Sequence, residues 1–148
     1  YGNITPPKQE TFDRLRSFFD GKGWQFDYIS DSMFNGNGPK LSQEECWDIL
    51  KTYRYGIGVG RCYMEMAAMG LQCIVAGNSI GGITTTKAHH KKQVETNYNS
   101  NYWTFSSDLE EIFDNLDKVK PQFEDIRNNL DLSEGNIKRS LFQPRHNQ

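Results

Sequence analysis

Between Tyr55 and Gly77 the chain reads Tyr-Gly-Ile-Gly-Val-Gly-Arg-Cys-Tyr-Met-Glu-Met-Ala-Ala-Met-Gly-Leu-Gln-Cys-Ile-Val-Ala-Gly. Two features of this stretch could do chemistry. Gly58, Gly60 and Arg61 stand where a glycine-rich turn hands over to a helix. The first N–H groups of a helix lack intrahelical partners and its dipole is positive at that end, so such a turn attracts phosphate. One turn further on, Glu65 is the lone acid in a segment that is apolar nearly all round. A carboxylate there could accept hydrogen bonds from hydroxyls such as a ribose diol. The competing reading is an ion pair with Arg54 or Arg61, because burying an unpartnered charge is costly. The spacing predicts a nucleotide or nucleotide-sugar site.

A second glycine-rich segment, Gly77-Asn-Ser-Ile-Gly-Gly82, reads as a loop that leaves a strand at its carboxyl end. Ligands sit along that edge in open α/β sheets, which makes Gly81 and Gly82 candidate lining residues. The plain alternative is a tight turn. His89-His90 carries no metal signature: adjacent helical residues point about 100° apart, and no Glu or Cys stands at a supporting spacing. No metal is expected. Met64, Met66 and Met69 read as core packing, as do the three tryptophans. Asp31 and Asp108 have no matching base or nucleophile. Cys46, Cys62 and Cys73 are odd in number and lack a Cys-x-x-Cys pair, which predicts reduced, buried thiols in a cytoplasmic protein.

The elements that must hold these residues follow from pattern. Pro6-Pro7 suits a helix start, and Phe12, Leu15, Phe18 and Phe19 recur at helical spacing before Gly21 and Gly23. Trp24 to Ile29 alternates like a strand. Ser30 to Lys40 is dense in Asp, Asn, Gly and Pro and reads as a loop. Ser42-x-x-Glu45 is a capping box. A short strand at 53–59, a helix from Gly60 to Met69 and a continuous apolar strand from Leu71 to Ala76 come next. Lys87 to Asn97 reads as a helix. Ser107-x-x-Glu110 is a second capping box, opening a helix with its stripe at Leu109, Ile112, Phe113, Leu116 and Val119. Phe123, Ile126 and Leu130 mark another helix after Pro121, and Ile137 to Leu141 a last one. Helix and strand alternate, which predicts an α/β domain: a small parallel sheet with helices on both faces. Residues 1–141 form one domain on this reading and 142–148 a mobile tail.

Composition narrows the function classes. The 148 residues carry 17 Lys and Arg against 19 Asp and Glu, a net charge of −2. That disfavours a nucleic-acid binder, which would carry a basic stripe. No run approaches the roughly 18 apolar residues that a membrane span needs. Three convincing strands are few for a free-standing doubly wound domain, which hints at a larger protein.

From Gly58-Val-Gly-Arg to Met64-Glu-Met-Ala-Ala-Met-Gly70 and on to Ile74-Val-Ala-Gly77, the chain resembles the C-terminal domain of retaining glycosyltransferases of the GT-B fold, family 4. Gly81-Gly82-Ile-Thr resembles that family's later glycine pair, and Gly2-Asn-Ile-Thr-Pro-Pro-Lys8 is a weaker counterpart of its first strand-to-helix turn. The resemblance covers about residues 1–85. It implies a Rossmann-like three-layer domain, half of a GT-B fold, that binds a UDP- or GDP-linked sugar. It implies Glu65 on the donor ribose, Gly58 to Arg61 at the diphosphate or sugar, and Lys8 neutralising the leaving diphosphate. It implies no cofactor beyond the nucleotide-sugar substrate. It also implies a partner half, an N-terminal acceptor domain, without which the chain should not catalyse transfer.

Three positions depart from the family pattern. Ile57 stands where the family's first acid would be, as in a subset with Gly-x-Gly-Arg at this turn. Asn3 replaces the arginine of the phosphate pair, and Gln72 replaces the proline before the next strand. The loss of the acid at Ile57 and the missing acceptor half favour a second reading, a non-catalytic interaction module that keeps the fold. A third, a dinucleotide-binding domain, is suggested by Gly56-x-Gly58-x-Gly60. That spacing is wrong for the fingerprint, and no acid ends the following strand.

Overall fold

A computed structural model describes residues 1–120. In chain order the elements are α1 (Pro6–Gly21), β1 (Ile29–Ser30), β2 (Met33–Phe34), α2 (Gln43–Leu50), β3 (Tyr55–Gly58), α3 (Gly60–Ala68), β4 (Gln72–Ala76), β5 (Ile80–Ile83), α4 (Lys87–Glu95) and α5 (Leu109–Asn115). Single 3₁₀ turns cover Ser100–Tyr102 and Leu116–Lys118. The helices expected after Pro121, the tail at 142–148 and the end of the domain at 141 lie outside the described residues.

Local chemistry explains most of these boundaries. α1 opens with its prolines in the first turn, where no N–H is needed. α2 opens on a complete capping box: the Glu45 N–H donates to Ser42 Oγ at 3.1 Å, and the Ser42 N–H donates to Glu45 Oε1 at 3.0 Å. At α5 the expected cap moves by one residue. Asp108 accepts from the N–H groups of Glu110 and Glu111, because a carboxylate is a stronger acceptor than the Ser107 hydroxyl beside a positive helix end. That helix stops at Asn115 and tightens into 3₁₀.

The main sheet has the order β3-β4-β5. β3 and β4 are parallel, with Ile57 opposite Ile74. β5 is antiparallel to β4, with Val75 opposite Gly82. The all-parallel expectation is therefore corrected to a mixed sheet. The segment 77–82 is a hairpin rather than a loop: the Gly77 N–H donates to the Ser79 carbonyl at 3.0 Å, and Ile80 already belongs to β5. The predicted strand at 24–29 is regular only at Ile29–Ser30, which pairs with Met33–Phe34 inside the expected loop. Asp31 and Ser32 form the turn between them, with φ of 52° and 59°. Two consecutive left-handed residues match a type I′ hairpin turn.

Alternation along β4 divides the core in two. Cys73 and Val75 face one layer with Trp47, Tyr63, Met66 and Leu71 from the α2 and α3 side. Ile74 and Ala76 face the other with Leu15 and Phe19 of α1 and Ile112 of α5. Helices thus cover both faces of the sheet. Each fully buried Ile or Val stabilises the fold by about 1.5–3 kcal/mol. The amino-terminal residues sit beside β3: the Tyr1 amine donates to the Ile57 carbonyl at 3.0 Å, and the Gly2 N–H donates to the Ile29 carbonyl at 3.0 Å.

Candidate functional site

The turn from β3 into α3 is held open by Gly60. Its φ is +59°, and a Cβ built on it would meet nothing within 4 Å. Backbone conformation rather than crowding therefore selects glycine here. No side chain caps α3, and the Gly60 N–H donates to the Tyr98 carbonyl at 2.8 Å. That bond draws the segment after α4 over the carboxyl end of the sheet. The result is a cavity of about 220 Å³ lined by Lys8, Val59, Gly60, Asn78, Asn97, Asn99 and Asn101. Lys8 comes from the first turns of α1, Gly60 from the start of α3, and Asn78 from the β4–β5 hairpin.

Asn97 and Tyr98 are consecutive non-glycine residues with φ of 55° and 56°. Such a pair is strained and persists only where its surroundings enforce it. Here Tyr98 is buried and stacks on Tyr63, with ring centroids 5.2 Å apart, and its N–H donates to the Gln93 carbonyl at 2.7 Å. These contacts turn the Asn97 side of the segment toward Lys8 and Gly60. Sequence reading missed the asparagines altogether. Their only signal was the density of Asn from 97 to 101.

The other sequence-derived candidates lie elsewhere. Gly58 lines a separate, largely apolar cavity of about 210 Å³ between α1, residues 24–29 and β3. Lys8 reaches the edge of that cavity as well. Gly81 and Gly82 are buried in β5. A Cβ on Gly81 would stand 2.8 Å from Ser100 Cβ and 2.9 Å from the Trp103 ring, and one on Gly82 3.0 Å from the Ser106 carbonyl oxygen. Packing of the 100–106 segment accounts for both glycines, and neither lines the polar cavity.

Glu65 is 2 % exposed and lines neither cavity. Its carboxylate accepts from Gln43 Nε2 at 3.0 Å, Trp47 Nε1 at 3.2 Å and Arg61 Nε at 3.3 Å. The ion pair with Arg61 spans one helical turn. Tyr1 also leans on this carboxylate: burial first, then the charge and hydrogen bond of Glu65, push its phenol far above the ordinary value. Glu65 thus ties α2, α3 and the amino-terminal segment together, with donors supplied by the protein. Arg54 instead pairs with Asp117 at 3.0 Å on the surface.

Among the described residues no group of three or more His, Cys, Asp or Glu could hold a metal ion, and no helix is long and apolar enough to cross a membrane. His89 stacks on Phe105 at 4.0 Å, which gives that ring a packing role. The chain matches no family model, no curated protein and no solved structure.

Proposed function

We propose that the chain is the donor-nucleotide-binding half of a GT-B glycosyltransferase, with the diphosphate seated in the Lys8–Gly60 cavity. The observation that carries this reading is the convergence of one ammonium, a helix start without a side-chain cap and four asparagines at the carboxyl end of two parallel strands. Lysine supplies a point charge to a phosphate and asparagine amides donate to its oxygens. The strain at Asn97 and Tyr98 fits a site that holds its lining residues ready. In the parent enzyme such a site would position the sugar donor and stabilise charge on the departing diphosphate. A donor ribose would have to take the place of Gln43 or Arg61 at Glu65.

Calorimetric titration with UDP, GDP and inorganic pyrophosphate tests the proposal. Binding of a nucleoside diphosphate, weakened about tenfold or more in Lys8→Ala with no change in melting temperature, is the expected result. No binding of any of the three at millimolar concentration would remove it. The inward-turned Glu65 and the apolar Ile57 favour the second reading, a non-catalytic module on the same fold. Binding of NADH in place of the diphosphates would favour the dinucleotide reading.

A further inference from the structure

The polar cavity at Lys8 and Gly60 offers charge and amides but no face for a flat ring. Among the described residues Val59 is the one apolar side chain that lines it. A nucleoside diphosphate carries such a ring beside its phosphates. The turn that closes the cavity displays a partner for it. Asn99 and Asn101 line the cavity, and the 3₁₀ turn that contains Asn101 ends at Tyr102. Tyr102 is 72 % exposed, whereas every other Phe, Tyr and Trp among the described residues is buried or half-buried. Among the described residues no other ring stacks on it.

A single exposed ring needs no explanation by itself. Its mounting gives it one. The residues on either side of the exposed pair Asn101 and Tyr102 are pinned inward. Ser100 is buried and exchanges two bonds with the β4–β5 hairpin: its Oγ donates to the Ser79 carbonyl at 3.1 Å, and Ser79 Oγ donates to the Ser100 carbonyl at 3.3 Å. Trp103 is buried, donates from Nε1 to Thr96 Oγ1 at 2.6 Å and stacks on Phe105 at 4.2 Å. Between them the Tyr102 N–H donates to the Asn99 carbonyl at 3.3 Å, and the Asn101 N–H donates to Asn99 Oδ1 at 3.0 Å. Residues three apart in a 3₁₀ turn lie one above the other. That relation sets Tyr102 beside Asn99, a lining residue of the cavity.

We infer that Tyr102 is the platform on which the nucleobase of the bound diphosphate stacks. The inference rests on the diphosphate reading of the Lys8–Gly60 cavity and adds the group that meets the other end of the ligand. Tyr102 lies outside the residues that carry the family resemblance, so the assignment is not carried over from that family. Charge and amides hold phosphate oxygens and do not distinguish bases. A ring face accepts any base and gains with the area covered. The site therefore takes both UDP and GDP and prefers GDP, whose purine covers more of the ring. The pinned turn lowers the entropic cost of stacking, because the platform loses little freedom when the base arrives.

The test titrates the full chain, Tyr102→Ala and Tyr102→Phe with GDP, UDP and inorganic pyrophosphate by calorimetry. In the unsubstituted chain GDP should bind more tightly than UDP, and UDP more tightly than pyrophosphate. Tyr102→Ala should weaken both nucleotides about tenfold and leave pyrophosphate unchanged. Tyr102→Phe keeps the ring face and should bind all three like the unsubstituted chain. Both variants should keep the melting temperature, since the side chain is exposed. Equal affinity for GDP with and without the ring would overturn the inference and leave the diphosphate reading in place. So would a loss for pyrophosphate as large as that for GDP. No binding of any of the three to the unsubstituted chain would remove both.

Discussion

Glu65 shows how one side chain changes meaning between sequence and structure. An acid in an apolar helix was read as a ligand contact or an ion pair, and three protein donors from α2 and α3 now surround it. Glu65→Ala should cost about 3–5 kcal/mol in a urea melt, because it strands the buried Trp47 N–H as well as breaking the pair with Arg61. Glu65→Gln should cost less, since its carbonyl still accepts from Trp47. Asp27 sets a pH dependence at the same scale. Burial opposes its charge, but hydrogen bonds from Tyr53, Asn35 and Gln25 outweigh it and hold its pKa below the usual value. A group with a depressed folded pKa stabilises the fold fully above its unfolded pKa of about 3.9 and loses that effect as pH falls through the folded value. Stability should therefore fall below about pH 4, and Asp27→Asn should flatten that fall in pH-resolved denaturation curves.

The elements differ in how far their own residues specify them. The prolines of α1, the capping box of α2 and the apolar run of β4 act within a turn or a strand, and each was legible. β5 was not. Its two glycines resemble a loop, and they are tolerated in a strand because Ser100, Trp103 and Ser106 press against them. Gly81→Ala should accordingly cost about 1–3 kcal/mol by overpacking. Gly21, at the end of α1, has nothing within 4 Å of a built Cβ and an ordinary φ; Gly21→Ala should be neutral or stabilise by up to about 1 kcal/mol. Chemical denaturation of the two variants checks the contrast. The hairpin of β1 and β2 escaped notice for a related reason. Its turn residues, Asp31 and Ser32, lack the glycine that usually announces a type I′ turn.

At the scale of the whole molecule, two cores enclose the sheet and shield its thiols. Burial pushes Cys73 up to about 12 and raises Cys46 as well. Ellman's reagent should leave both untouched in the folded chain and modify them promptly in urea, since the thiolate is the reactive form. The amino-acid sequence by itself determined where the main helices start, that residues 71–76 form a continuous apolar strand, and that a glycine turn feeds a buried helix. Those features depend on residues within about four positions of one another. The tertiary structure alone decided that β5 runs antiparallel and that Glu65 faces Gln43 and Trp47. It also decided that Lys8 shares a cavity with Gly60 and the asparagines of 97–101. Strand direction and the meeting of distant side chains are set by how the layers pack, and no local spacing encodes that.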